Sequence, residues 1–233
     1  LYHRKVRLIM RSRFDMQLEQ LKLEMTSMGM LCENAIAKAS HALLNCDVKA
    51  AGELPELLNQ VTQKERDIEA ICLRLLLPVA RDLRTVSAAL KMVTDAQRIG
   101  TQSGDIAEIV AMGYIREIPE GLPVREMATA VISMVTDSID SFVKQDGKLS
   151  RNVIEYDDVV DDYFNSIKHS LVQRLKTQEG SSEAMVDLLM IAKYFERIGD
   201  HAVNIAKWVL FSLTGSLEFE SACYETGSHT SEK

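Results

Sequence analysis

At 233 residues, 46% hydrophobic and only 6% aromatic, the chain is long enough for one sizeable domain or two small ones, each able to bury a core. A formal net charge of −7, with basic residues clustered only near the start, excludes a general nucleic-acid role and suits basic partners or metal cations. Four Pro and long runs of Leu, Met, Ala, Glu and Lys, without strand-like alternation, point to an all-α fold.

Arg4, Lys5, Arg7, Arg11 and Arg13 imitate the head of a secretory signal, but Asp15, Gln17, Glu19 and Gln20 follow where an apolar run is required. From about Phe14 to Cys46, apolar residues recur at Leu18, Leu21, Met25, Met28, Leu31/Cys32, Ala35, Ala39 and Ala42/Leu43, the three-and-four spacing of one long helix. Asp47 to Leu54, with Gly52, reads as a turn, and a second helix runs from Pro55 to about Leu77. Pro78 ends or kinks it, and a third spans Val79 to about Arg116, its start tightened by Arg81, Asp82 and Arg84.

Ile118-Pro119-Glu120-Gly121-Leu122-Pro123 is the strongest breaker in the chain and is expected to act as a hinge. A fourth helix from Val124 to about Gln145 carries Met127, Val131, Met134/Val135, Ser138/Ile139 and Phe142 on one face, with Asp146-Gly147 expected to stop it. A fifth runs from about Ser150 to Lys176, and a sixth from a Ser cap after Glu179-Gly180 to about Leu213, before Gly215. The expected organisation is a basic extension (1–9), a three-helix bundle (10–117), the hinge (118–123), a second three-helix bundle (124–215) and a frayed polar tail (216–233).

The two bundles read as a duplication. An offset of 99 residues sets Arg98-Ile99-Gly100 on Arg197-Ile198-Gly199 and Ile106-Ala107 on Ile205-Ala206. That period is too long for a stacking repeat of roughly 20 to 50 residues, so each copy is a half-molecule.

On a helical wheel, Val153, Val160, Phe164, Ile167, Leu171 and Leu175 of the fifth helix share one apolar face, and Asp157 and Asp161 fall on it. Glu65 and Glu69 repeat this placement on the second helix among Val61, Ile68, Cys72 and Leu75. Unpaired carboxylates on an apolar face are costly unless a cation or donors stand close by. On the sixth helix Leu188, Ala192, Phe195, Gly199, Ala202, Ala206 and Val209 form a seam with Glu196 and Asp200 on its flank. Its small residues let a neighbour approach and bring Asp157 and Asp161 within reach of Glu196 and Asp200, with Asn204 one turn further able to add a carbonyl.

Four carboxylates suit a hard cation, Mg, Mn, Ca or Fe, rather than a thiolate metal. Against this stands the ordinary fate of such acids, to be solvated or paired with a Lys or Arg such as Lys193, Arg197 or Lys207. In the first half Gln97 and Thr101 replace two of the charges, Asp105 remains one turn later, and that half is expected to bind metal weakly or not at all.

His201 is read as a surface histidine, His41 and His169 as isolated, and the Met25, Met28 and Met30 stretch as core packing. Cys32, Cys46, Cys72 and Cys223 show no Cys-x-x-Cys pairing and read as reduced thiols of a cytoplasmic protein. No phosphate loop, nucleophile elbow or Ser/His/Asp spacing argues for catalysis, and no window approaches the roughly 18 apolar residues of a membrane span.

Glu196-Arg197-Ile198-Gly199-Asp200 with Asn204-Ile205, duplicated across a hinge, resembles the PhoU family of phosphate-signalling proteins. Met10-Arg-Ser-Arg-Phe-Asp15 looks like that family's usual beginning, Asp82-Leu83-Arg84 like its first-half helix start, and Asp157-Asp158-Val159-Val160-Asp161 like its second-half fifth helix. The resemblance implies two three-helix bundles, with metal clusters held by Glu/Asp-x-x-x-Asp motifs on the bundle surface. It implies Fe, Mn, Mg or Zn as cofactor and a homodimer as the assembly.

It further implies a cytoplasmic, non-enzymatic negative regulator linking the phosphate importer's ATPase subunit (PstB-like) to a sensor histidine kinase (PhoR-like), reaching the membrane only through these partners. Two other readings stand beside it. A di-metal carboxylate oxidase would want a Glu-x-x-His pair on each of two helices, which this sequence lacks, and a purely structural helical scaffold would use the acids without metal.

Overall fold

Asp146 accepts hydrogen bonds from the backbone N–H groups of Lys148 and Leu149, at 2.9 and 3.1 Å, and so starts a helix where the sequence suggested a stop. The preceding helix closes instead at Gln145, which takes the left-handed conformation (φ 56°). The same construction occurs 99 residues earlier, where Cys46 (φ 51°) precedes Asp47, which accepts from Lys49 and Ala50 N–H. The duplication therefore reaches the turns as well as the helices.

The computed structural model describes residues 2–76 and 83–216, with side chains from Phe14 onward. Among the described residues there are seven helices and no strand: α1 (Tyr2–Leu44), α2 (Val48–Ala51), α3 (Leu54–Leu76), α4 (Leu83–Ala111), α5 (Val124–Lys144), α6 (Gly147–Thr177) and α7 (Ser182–Thr214). None is long and apolar enough to cross a membrane. The expected break at Pro78, the third-helix start through Arg81 and Asp82, Cys223 and the tail from 217 lie outside the described residues.

Several boundaries differ from expectation. The first helix begins at Tyr2 rather than Phe14, since the basic segment contains good helix formers and no Pro or Gly before Gly29. The expected third helix, α4, ends at Ala111 rather than Arg116, ahead of Gly113 in the left-handed region (φ 75°). The segment expected to be a turn after Asp47 holds the one-turn α2. Equivalent positions are offset by 99 residues at Asp47/Asp146 and by 92 at Glu65/Asp157, so α2 and its turn are an insertion in the first half.

Helices α1, α3 and α4 pack as one bundle and α5, α6 and α7 as the other, with α4 lying on α7 and α1 on α5 between them. The second contact is close, for a Cβ on Gly29 would stand 3.2 Å from Ile139 Cγ2. One continuous buried cluster runs from Leu21 to Val209 through both halves. The connecting segment is pinned at Ile115 and Leu122, both buried, and Arg174 donates from Nη2 to the Glu120 carbonyl at 3.0 Å. Met25 and Met28 are core residues, but Met30 turns outward and is 65% exposed. Leu175 likewise leaves the expected apolar face near the end of α6 and is 37% exposed, whereas Val153, Val160, Ile167 and Leu171 are buried.

Candidate functional site

Gly199 sets the distance between α6 and α7. A Cβ built on it would lie 3.3 Å from Asp157 Oδ1 and 3.5 Å from Val160 Cγ1, so its missing side chain is the space that admits the aspartate. Asp157 is half-buried there, while Asp161, one turn along α6, is exposed, so the apolar-wheel position buries only the first of the pair. On α7, Glu196 is half-buried and Asp200 exposed.

Electrostatics joins all four. Burial first, then Asp200, Asp161 and Glu196, push Asp157 up to about 6. Burial and Glu196 raise Asp161, and burial and Glu196 likewise raise Asp200; Lys193 lowers both. Lys193 is the cation the cluster already has: it forms an ion pair with Glu196 and sits 5.4 Å above the Phe164 ring. Asn204 is exposed and lines a cleft together with Asp157 and Asp200.

The donor set fits a hard cation in chemistry and in charge, being all oxygen and mutually repulsive. Among the described residues, however, no three His, Cys, Asp or Glu side chains are placed around a common point to hold a metal ion, and Glu196 is turned to Lys193. The first half fits less well. Gln97 Nε2 donates to Thr101 Oγ1 at 3.1 Å, so the residues at the Glu196 and Asp200 positions satisfy each other. Glu65, half-buried like Glu69, is raised by burial and Glu69 and lowered by Arg98, which gives it a cation of its own. Asp105 is raised by burial and Glu108 and lowered by Arg197, and lines a separate cleft of about 250 Å³ with Gln97 and Thr101.

The PhoU domain family model matches this chain twice, at residues 25–110 and 124–209, both ends displaced by the same 99 residues. The chain belongs to the PhoU family. It is 31% identical over 208 residues to the phosphate-specific transport system accessory protein PhoU homolog of Pseudomonas aeruginosa, spanning 87% of this chain and 86% of that protein. The corresponding protein of Zymomonas mobilis is 33% identical over 209 residues, 87% of each chain. The crystal structure of PhoU from Pseudomonas aeruginosa superposes with a TM-score of 0.80 at 31% identity, over 87% of this chain and all (100%) of that one. The phosphate transport system regulatory protein PhoU from Streptococcus pneumoniae gives 0.81 at 25% identity, covering 88% and 98%.

Within this PhoU fold, His201 is not the surface histidine expected. Its Nδ1 lies 2.9 Å from Asp95 Oδ1 on α4, and both side chains are largely shielded. The reason is the contact of α4 with α7, which no single-helix wheel contains. The same contact gathers Arg98, Gln102, Arg197 and Lys207 around a cleft of about 610 Å³ that sequence reasoning missed. The signal was present, since Arg98 and Arg197 are the first aligned residues of the two copies. Burial pushes the Cys32 and Cys72 thiols up to about 12, and Cys32, Cys46 and Cys72 are unbridged, as reduced structural thiols would be.

Proposed function

We propose that this chain is a non-enzymatic, cytoplasmic accessory and regulatory protein of phosphate uptake, a metal-binding helical adaptor. In this reading it represses phosphate-starvation signalling by coupling the importer's ATPase subunit (PstB-like) to a sensor histidine kinase (PhoR-like). Family membership and the named roles of its relatives in phosphate-specific transport support the phosphate-transport role. The observation that carries the metal is the cluster of Asp157, Asp161, Glu196 and Asp200: burial, then acids of the cluster, raise Asp157, Asp161 and Asp200, while Lys193 pairs with Glu196. These four, with Asn204 adding a carbonyl oxygen, would hold Fe, Mn, Mg or Zn, whose charge would relieve the repulsion and stiffen α6 against α7.

Elemental analysis of protein purified without added metal tests the centre, beside Asp157→Asn with Asp161→Asn and Glu196→Gln with Asp200→Asn. Stoichiometric metal lost in both variants is expected. A metal-free wild type would leave the scaffold reading, which the Lys193–Glu196 pair favours. Deletion of the protein is expected to raise phosphate-starvation gene expression in phosphate-rich medium. Unchanged expression, with no binding to importer ATPase or kinase, would sink the regulatory reading.

A further inference from the structure

The cleft between α4 and α7 is built from repeat equivalents. Arg98 corresponds to Arg197 and Gln102 to His201 at the same offset of 99, and all four line one opening of about 610 Å³, joined by Lys207. Equivalent positions of the two repeats thus meet at one opening, which brings two arginines and a lysine to its lining. Like charges so gathered repel unless an anion or acid answers them.

The acids present answer them incompletely. Arg98, Arg197 and Lys207 make no ion pair and no side-chain hydrogen bond among the described residues; Glu65 and Asp105 act on the two arginines from beyond ion-pair distance. Asp157 and Asp200 line the same cleft, two acids against three cations, while Asp95 is engaged by His201. Gln102 presents a buried Oε1 with no hydrogen-bond partner, an acceptor that a ligand hydroxyl, not a phosphoryl oxygen, would answer.

Guanidinium forks match the paired oxygens of phosphoryl groups, and an ammonium adds a point charge. Three cations exceed what a single carboxylate needs. The opening is also far larger than a lone ion and within the roughly 300 to 1,000 Å³ of small-molecule sites. We propose that this cleft binds a phosphorylated small molecule, its phosphoryl oxygens held by Arg98 and Arg197 from the two repeats and by Lys207. The cleft shares Asp157, Asp200 and Asn204 with the carboxylate cluster, and its three cations would hold the phosphoryl group without a bound metal.

Calorimetric titration of the full chain with tripolyphosphate, ATP and inorganic phosphate, each in chelator and in excess Mg²⁺, tests it. Binding of tripolyphosphate or ATP at one per chain in at least one condition is expected. The Arg98→Gln, Arg197→Gln double variant should weaken it about tenfold or more, and the exposed control Arg125→Gln should leave it unchanged. Equal affinity for inorganic phosphate would identify free phosphate as the ligand, and preference for the larger probes a phosphate ester or chain; both uphold the site. If the double variant loses its helical circular dichroism, Lys207→Gln carries the same comparison. No binding of any probe, binding that the cleft variants leave intact, or equal weakening by Arg125→Gln overturns the proposal. The chelator arm reads this binding without metal, whatever the elemental analysis finds at the carboxylates.

Discussion

His201 Nδ1 and Asp95 Oδ1 share a hydrogen bond of 2.9 Å that ties α7 to α4 across the two repeats. Both side chains are mostly shielded, so Asp95→Ala and His201→Ala are each expected to cost about 1 kcal/mol. The double variant should cost less than the sum, with a coupling of about 0.5 to 1 kcal/mol in urea titrations. Strict additivity would show that the contact carries no energy.

Stability without metal is expected to fall as pH rises towards about 6, where Asp157 ionises in the folded chain. Its ordinary value is 3.8, so between these values the folded state binds more protons than the unfolded one and the slope is negative. Asp157→Asn removes the repulsion and should stabilise the metal-free protein at about pH 8 by about 1 kcal/mol once solvent screening is allowed for. Near pH 4 the gain should largely vanish. Denaturant titrations at the two pH values decide it, and destabilisation at the higher one would contradict the cluster's electrostatics.

The paired glycines should respond unequally. A Cβ on Gly100 would stand 2.9 Å from Val61 Cγ1, a β-branched side chain only 1% exposed, whereas on Gly199 it meets the more adaptable carboxylate of Asp157 at 3.3 Å. Gly100→Ala is expected to cost about 1 to 2 kcal/mol despite alanine's better helix propensity, and Gly199→Ala less. Thermal melts ordering them the other way would refute the packing argument.

The matched caps hold helices of different length. Asp146 starts the 31-residue α6, and Asp47 the four-residue α2. Asp146→Ala should cost about 1 kcal/mol, and Asp47→Ala less, as measured by chemical denaturation. Equal losses would mean that α2 anchors the first bundle as firmly as α6 does the second.

Lys193 competes with any metal for Glu196. Replacing it in Lys193→Gln should tighten metal binding about threefold, the scale of one partly exposed ion pair. Titration of the metal-free protein would show this, and weaker binding would make Lys193 a supporting residue of the centre.

Much of the fold was legible because helix periodicity and breakers are local properties. The 99-residue duplication, the buried seam of α7 and the stripe of α1 all follow from spacing in the chain. The turns were misread where a non-glycine residue took a glycine's conformation: Gln145, not Gly147, adopts the left-handed geometry that ends α5. Asp146 then serves the following helix, because its carboxylate reaches two free N–H groups.

The carboxylate pattern was likewise visible, yet a wheel assigns each side chain only a direction. Asp157 and Asp161 share that direction, and only the approach of α7 at Gly199 makes one half-buried and leaves the other exposed. The sequence by itself determined the helical class, the repeat and the identity of the acids, since these depend on composition and on residues a few positions apart. Tertiary structure decided that Lys193 claims Glu196, that His201 meets Asp95, and that Arg98 and Arg197 share one cleft. The cleft and the His201–Asp95 contact join elements about a hundred residues apart, and their geometry is set by how the whole apolar core packs α4 on α7.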